Sequence, residues 1–242
     1  MGKFKLACHL IQFAGEQNET LEKVFREVAE AGWNGVEGIG GQGSAIAAVK
    51  CNITLDNDAA EVHGLRRSDW GGNNPTEADF KQVAQTLDEI LYFCDQHNIK
   101  GFHHAHLGTM IATVEDTERL MSVTPKLWLL FDTGHLLAAG SDPMQVFDKP
   151  ILPNRIGHVH LKNFHANELQ SWNHRTQKFS EQGRFAELGA GNVGLDVGAV
   201  LSALTEVGYE GWVSVELNRP YPPRPPVEAA KVNREYLASI GY

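Results

Sequence analysis

The chain has 242 residues, of which 42% are hydrophobic, and acidic residues outnumber basic ones to give a formal net charge of -9. This length suits one α/β barrel domain spanning residues 1–242. The acidic balance, with no basic stripe along the chain, argues against a nucleic-acid partner.

The cysteines and the N-terminus indicate the compartment. Cys8, Cys51 and Cys94 stand far apart and match no zinc-binding or redox spacing. They are expected to be small, reduced, buried residues of a cytoplasmic protein. The sequence shows no signal-peptide pattern and no apolar run long enough to span a bilayer, so no membrane partner is expected.

In the first half of the chain, short strands alternate with amphipathic helices. The pattern predicts strands at 4–11, 35–39 and 99–104, and helices at 20–31, 44–49 and 76–97. Thr76 is expected to cap the last of these helices together with Asp79, three residues later. Residues 52–65 are ambiguous, although 61–64 resembles a strand end, and 69–75 is a loop rich in Gly and Asn.

The second half repeats the alternation. Strands are predicted at 127–132, 155–160 and 211–216, and helices at 113–121, 143–147, 196–207 and 227–239. A long polar loop is expected at 163–193. It contains Trp172, His174 and Arg175, which would form either a lid or a disordered connection. Residues 220–226 are a proline-rich loop.

This regular alternation predicts a parallel α/β architecture. Polar residues at the strand ends favour a (β/α)8 TIM-type barrel, whose sites lie on that face. A doubly wound open sheet is the alternative, but no Gly-rich phosphate fingerprint follows the first strand. Counting the strand end at 61–64, seven strands are convincing, and residues 41–75 are too short for two full βα units. The barrel is therefore expected to be abbreviated or irregular there.

Several predicted strands end in residues that bind metals. Apolar runs lead into Asp132 and Glu216, and other strands end in His104 and His160. Since buried unpaired charge is expensive, packing alone does not account for this repeated pattern. Together these four side chains offer mixed nitrogen and carboxylate ligands, which suit Mn²⁺, Co²⁺, Fe²⁺ or Zn²⁺ better than Ca²⁺.

Other polar residues lie beside the four candidate ligands. Residues two apart on a strand share a face, which places His106 with His104 and His158 with His160. His135, three residues after Asp132, and these two histidines would support the ligands or bind substrate. Each side chain also has a structural interpretation: a lone histidine is often only hydrogen-bonded, Asp132 could cap a turn, and Glu216 could pair with Arg219.

Three motifs resemble a known family. His104-Ala105-His106-Leu107-Gly108-Thr109, Asp132-Thr133-Gly134-His135 and His158-Val159-His160-Leu161-Lys162-Asn163 are similar, in order and spacing, to motifs of the inosose (2-keto-myo-inositol) dehydratases. Those belong to the xylose isomerase-like superfamily of TIM barrels. The resemblance runs from about residue 76 to the end. Residues 1–40 match more loosely, and 41–75 depart from the pattern.

The resemblance implies a divalent-metal enzyme acting on a small keto-polyol or keto-sugar. Mn²⁺ or Co²⁺ would be bound, with Zn²⁺ or Fe²⁺ as alternatives, by His104, Asp132, His160 and Glu216. A histidine at position 104 resembles the dehydratase branch, since epimerases have a glutamate there. Glu37, at the place of a second-strand acid, is expected to bind substrate together with His135, His158 and Lys162.

The expected reaction is removal of water next to a ketone. Glu216 or His106 would take the proton from carbon, and His135 or Lys162 would protonate the leaving hydroxyl. Lys162 could equally form an ion pair with a metal-binding carboxylate.

Other functions share this scaffold. A sugar isomerase or epimerase, a 3-keto-glycoside lyase subunit and a catalytically impaired binding barrel are the alternatives. An endonuclease would need a basic groove, which a net charge of -9 disfavours. A homodimer is a further expectation, based on the aromatic and proline-rich residues 221–226.

Overall fold

The computed structural model describes residues 2–13, 20–38, 54–56, 60–63, 75–96, 99–107, 109–169, 179–218, 220 and 223–242. For 54–56, 60–63 and 179–180 it describes the backbone alone. The helix predicted at 44–49 lies outside these ranges, as do Trp172, His174, Arg175 and Arg219.

Eight parallel strands form one sheet, and two further strands form a hairpin. The sheet comprises β1 (Lys5–His9), β2 (Gly35–Glu37), β3 (Thr54–Asp56), β4 (Ala60–His63), β5 (Gly101–His104), β6 (Trp128–Asp132), β7 (Ile156–Leu161) and β10 (Trp212–Val215), while β8 (Asn163–Ala166) pairs with β9 (Gly183–Ala186). The sheet order is β3-β2-β1-β10-β7-β6-β5-β4, so the first strand pairs with the last. This is the order of a (β/α) barrel and confirms the predicted fold class.

The sheet is irregular where the sequence predicts it. Strands β3 and β4 lie at the two edges of the described sheet, and only residues 57–59 separate them in the chain. A crossover between neighbouring parallel strands needs a dozen or more residues. These two strands are therefore not joined as an ordinary βαβ unit, which agrees with the abbreviation expected within 41–75.

Helices lie between most of the strands along the chain. Those described are α1 (Leu21–Glu30), α2 (Glu77–Gln96), α3 (Val114–Val123), α4 (Thr133–Ala138), α5 (Phe179–Gln182), α6 (Val197–Glu206) and α7 (Pro226–Ser239). The predicted cap of α2 is confirmed, because the backbone N–H and the hydroxyl of Thr76 each donate to Asp79 Oδ2 over 2.7 Å. The short helix expected at 143–147 is a 3₁₀ turn, Pro143–Val146.

The core lies between the sheet and the helices. Phe25 of α1, Phe131 of β6 and Leu237 of α7 are fully buried in one apolar cluster. Cys8 and Cys94 are buried and form no disulfide, as the sequence predicts, and Cys51 lies outside the described residues. In the parts of the chain that the structure describes, no helix is both long enough and apolar enough to cross a membrane.

The prediction of a long polar loop at 163–193 is wrong for residues 163–166 and 179–186, whereas 167–169 and 187–193 are loop as expected. The chain continues from β7 into the antiparallel hairpin β8–β9, in which Asn163 is the register partner of Ala186. Phe164 and Phe185 are buried in it, which stabilises β8 and β9 although the sequence around them is polar. The hairpin brings the ring of Phe185 within 4.4 Å of Lys162 Nζ.

Candidate metal centre

Four strand ends deliver the predicted metal ligands to one place. His104 and Asp132 are the last residues of β5 and β6, His160 lies near the end of β7, and Glu216 follows β10. The backbone register pairs Asp132 with His160, so parallel strands that end at one level bring them together. All four side chains are buried, with 1–6% of each residue exposed.

The ligand atoms of this cluster lie close together. His104 Nε2 is 3.2 Å from Asp132 Oδ2, and His160 Nδ1 is 3.6 Å from the same oxygen. These three residues each offer a ligand atom within 4.8 Å of the other two. Glu216 joins them, because its Oε2 lies 2.8 Å from His160 Nδ1.

Lys162 is buried between the two carboxylates. Its Nζ lies 2.8 Å from Glu216 Oε1 and 3.3 Å from Asp132 Oδ2. Burial acts to lower the pKa of Lys162, but the two carboxylates outweigh it and raise that pKa. Burial acts to raise the pKa of Asp132 and of Glu216, but Lys162 first, with neighbouring histidines, holds both pKa values well below their usual range.

Glu37 anchors the other side of His160. Its Oε1 lies 3.0 Å from His158 Nε2 and 3.0 Å from His160 Nε2, and 4.0 Å from His9 Nε2. His9, Glu37 and His160 form a second group with metal-binding geometry. Burial acts to lower the pKa of His160, but Glu37 and Glu216 outweigh it and raise that pKa well above its usual value.

Two neighbouring histidines have opposite hydrogen positions, both fixed by Leu107. His106 Nδ1 lies 2.6 Å from the Leu107 carbonyl oxygen, which only accepts, so the hydrogen is on Nδ1 and the lone pair on Nε2. The Leu107 N–H donates to His135 Nδ1 over 3.2 Å, so neutral His135 carries its hydrogen on Nε2. The two rings lie 3.8 Å apart, centroid to centroid.

Burial keeps both of these histidines neutral. It lowers the pKa of His106 to about 4, with the neighbouring His104 adding to the effect. It also lowers the pKa of His135 well below its usual value, and the charge of Lys162 lowers it further. Near neutral pH the pair thus offers one proton acceptor, His106 Nε2, and one hydrogen donor, His135 Nε2.

The buried charges fit one divalent cation. Asp132, Glu216 and Glu37 are three buried carboxylates, and Lys162 is the buried cation that contacts the first two. With the histidines neutral, as metal ligands must be, this cluster carries two surplus negative charges. In the metal-free protein a proton on His160 compensates one of these two negative charges. A single divalent ion in place of that proton balances both.

The structure brings every predicted site residue into one cluster. The predicted set is Glu37, His104, His106, Asp132, His135, His158, His160, Lys162 and Glu216, and each contacts another member. Two neighbours were missed. His9 ends β1, so the strand-end rule that found His104 would also have found it. Phe185 carries no local signal, because the polar sequence around β9 predicts a loop.

Comparisons with known proteins extend these observations. Inosose dehydratase of Clostridium tetani (strain Massachusetts / E88) is 35% identical over 67% of this chain and 55% of its own length. That of Mesomycoplasma hyopneumoniae (strain 7448) is 33% identical over 68% of this chain and 56% of its own. The chain therefore spans about half the length of the curated relatives it matches.

Solved structures share the fold at low sequence identity. The probable 3-DHS dehydratase AsbF from Bacillus anthracis superposes with a TM-score of 0.68 at 15% identity, covering 97% of this chain and 99% of AsbF. The IolI protein, solved with a binding zinc atom, has a TM-score of 0.66 at 16% identity, covering 98% of each chain.

The family comparison covers most of the chain. The sequence pattern of the xylose isomerase-like TIM barrel matches residues 45–240, which include every strand end of the candidate centre except β1 and β2. The chain belongs to the xylose isomerase-like TIM-barrel family.

Proposed function

We propose that this protein is a divalent-metal-dependent dehydratase that removes water from a keto-polyol of the 2-keto-myo-inositol type. The supporting observation is the buried cluster of His104, Asp132, His160 and Glu216, whose charge one divalent ion balances. The relatives that match two thirds of the chain are named inosose dehydratases, which favours this substrate class.

The residues that would hold the ion are those that meet around Asp132 Oδ2. His104 offers Nε2 and His160 offers Nδ1, and Glu216 offers Oε2 beside them. Nitrogen and carboxylate donors of this kind suit Mn²⁺ or Co²⁺, and also Zn²⁺ or Fe²⁺. When bound, the ion would supply Lewis acidity toward the ketone of the substrate.

His106 is the better-placed base of the two predicted candidates. Both oxygens of Glu216 are engaged, Oε1 with Lys162 and Oε2 with His160. His106 is neutral and half-buried, and its Nδ1–H donates to the Leu107 carbonyl, so Nε2 is the nitrogen that would accept a proton from carbon.

His135 is the better-placed acid. Its Nε2 carries the hydrogen, because Nδ1 accepts from the Leu107 N–H. That hydrogen can be directed at the leaving hydroxyl. The two rings lie 3.8 Å apart, so the proton that His106 takes from carbon can restore His135 once the hydroxyl has left as water. Lys162 stays protonated between Asp132 and Glu216, so its role is to fix these carboxylates and place positive charge where negative charge develops.

Phe185 excludes water from these groups. Its ring packs edge-on against His135 at 4.8 Å between centroids and covers Lys162 Nζ. A dry wall strengthens the electrostatic interactions beneath it and limits side reactions of the enolate.

The direct test is turnover of 2-keto-myo-inositol by protein reconstituted with Mn²⁺ or Co²⁺. We expect an ultraviolet-absorbing enone-type product in wild type and none with Asp132→Asn, a variant of nearly the same shape. Metal analysis should find about one ion per wild-type chain and loss of that ion in the variant. Full activity in ion-free protein would overturn the proposal, and turnover of a ketose in place of the inosose would favour an isomerase.

A further inference from the structure

We infer that Glu37 is a positioning residue for the metal ligand His160, which it holds with Nδ1 facing Asp132 and Glu216. This inference rests on the proposed metal centre. It gives Glu37 a task other than the substrate contact implied by the resemblance. Glu37 comes from β2 and His160 from β7, so the contact joins strands that are not neighbours in the sheet.

The hydrogen bond fixes which nitrogen of His160 faces the ion. His160 Nε2 lies 3.0 Å from Glu37 Oε1, and a carboxylate oxygen only accepts. The ring therefore carries a hydrogen on Nε2. In the metal-free protein Nδ1 carries one as well, facing Glu216 Oε2. An ion would take the place of the Nδ1 hydrogen, while Glu37 would retain the hydrogen on Nε2. Nδ1 is the atom that lies 2.8 Å from Glu216 Oε2 and 3.6 Å from Asp132 Oδ2.

Burial and two contacts hold Glu37 in place. Glu37 and His160 are buried, and His158 Nε2 lies within hydrogen-bond distance of the same oxygen of Glu37 at 3.0 Å. A carboxylate held by two imidazoles cannot turn away without breaking both contacts. Carboxylates that accept from a ligating histidine orient its ring and increase its basicity.

A second ion beside Glu37 is the competing explanation, because His9, Glu37 and His160 also have metal-binding geometry. Two divalent ions would leave the buried cluster with two surplus positive charges, since one ion already balances the carboxylates against Lys162. Burying uncompensated charge is strongly unfavourable. The charge balance therefore assigns Glu37 to His160 and not to an ion of its own.

The test measures ion affinity in the absence of substrate. Co²⁺ is titrated against a competing chelator into the full chain carrying Glu37→Gln, and the visible spectrum of the bound Co²⁺ is recorded. We expect affinity to fall on the order of 10- to 100-fold and the spectrum to change. Glu210→Gln, the same substitution at an exposed glutamate paired with Lys3, is the matched control and should change neither.

A second variant separates positioning from general damage. His158→Gln removes one of the two imidazoles within hydrogen-bond distance of Glu37 Oε1 but leaves the Glu37–His160 hydrogen bond, so Co²⁺ affinity should fall clearly less than in Glu37→Gln. Equal losses in His158→Gln and Glu37→Gln would overturn the inference, and so would unchanged Co²⁺ affinity and spectrum in Glu37→Gln. If wild type binds no Co²⁺, the proposed function fails as well, whereas the other outcomes leave it standing.

Discussion

Gly134 makes room for the side chain of Lys162. A Cβ atom at position 134 would lie 2.6 Å from Lys162 Cγ and 2.7 Å from its Cβ, well inside van der Waals contact. The Thr133 hydroxyl donates to the Lys162 carbonyl at 2.6 Å and so ties the turn to the backbone of β7 and its end. The position of the buried lysine therefore depends on the turn that follows Asp132.

Gly134→Ala should displace Lys162 and lower both stability and activity. Alanine is the better helix former, so without this clash the substitution would stabilise α4. We expect a loss of about 1–3 kcal/mol from overpacking and a clear fall in kcat. Gly198→Ala is the control, because its Cβ would meet only the tip of Asp196 at 3.3 Å. Chemical denaturation and steady-state kinetics measure both effects, and a stabilised, active Gly134→Ala would contradict the clash.

Lys162→Met should destabilise the metal-free protein and tighten its hold on a divalent ion. Removing one partner of a buried ion pair leaves Asp132 and Glu216 without their cation, at a cost of about 3–5 kcal/mol. The extra negative charge attracts the ion more strongly, so chelator competition should show a lower Kd. Lys3→Met, at an exposed pair with Glu210, should alter neither quantity. Weaker ion binding in Lys162→Met would argue that Lys162 chiefly shapes the ligands.

The metal-free protein should be most stable near pH 6.5. Burial lowers the pKa of His106 to about 4 and that of His135 well below its usual value, so stability is lost as pH falls from about 6.5. Each such histidine contributes a slope of up to ~1.4 kcal/mol per pH unit. Carboxylates raise the pKa of His160. The stability that protonated His160 contributes is therefore complete below pH 6.5 and is lost as pH rises through its folded-state pKa.

Denaturation in the presence of a chelator, from pH 5 to 9, tests this dependence. His106→Gln should flatten the acid side of the profile, because it removes one of the histidines kept neutral by folding. His165→Gln, at a partly exposed histidine of β8 outside the cluster, is the matched control. A stability that climbs steadily toward pH 5 would show that the buried histidines are already protonated in the folded chain.

Phe185→Leu should reduce turnover while leaving the ion in place. The ring covers His135 and Lys162 but contributes no metal-ligand atom, so its loss should admit water without changing ion content. We expect kcat to fall on the order of tenfold. Phe93→Leu, at a ring that is 60% exposed on α2, serves as the control. Wild-type turnover in Phe185→Leu would show that the Phe185 ring, and with it the hairpin, takes no part in the reaction.

The barrel and its strand ends could be predicted because they follow local rules. Asp132 ends an apolar strand and Glu216 directly follows one. Parallel strands place their ends at one edge of the sheet, so a sequence pattern that predicts the strands also predicts that these ligands meet. The alternation of side chains along β7 correctly gives His158 and His160 one face. That face meets Glu37 of β2, a pairing that depends on barrel closure and carries no local signal.

The hairpin could not be predicted for a different reason. Its strands are only four residues each, and the sequence between them is polar, so neither period nor length separated them from a loop. Phe185 becomes buried only because β9 folds back onto β8. Tertiary packing therefore outweighs the local composition.

The contacts of Leu107 with His106 and His135 are made entirely by its peptide groups. Replacing the Leu107 side chain would leave both hydrogen bonds intact, so alanine scanning would report only its packing in the apolar cluster with Leu137 and Phe164. A backbone amide-to-ester exchange at position 107 would expose its importance, because it deletes the N–H that sets the His135 tautomer. The main chain at position 107 thus sets which ring nitrogen carries the hydrogen in His106 and in His135.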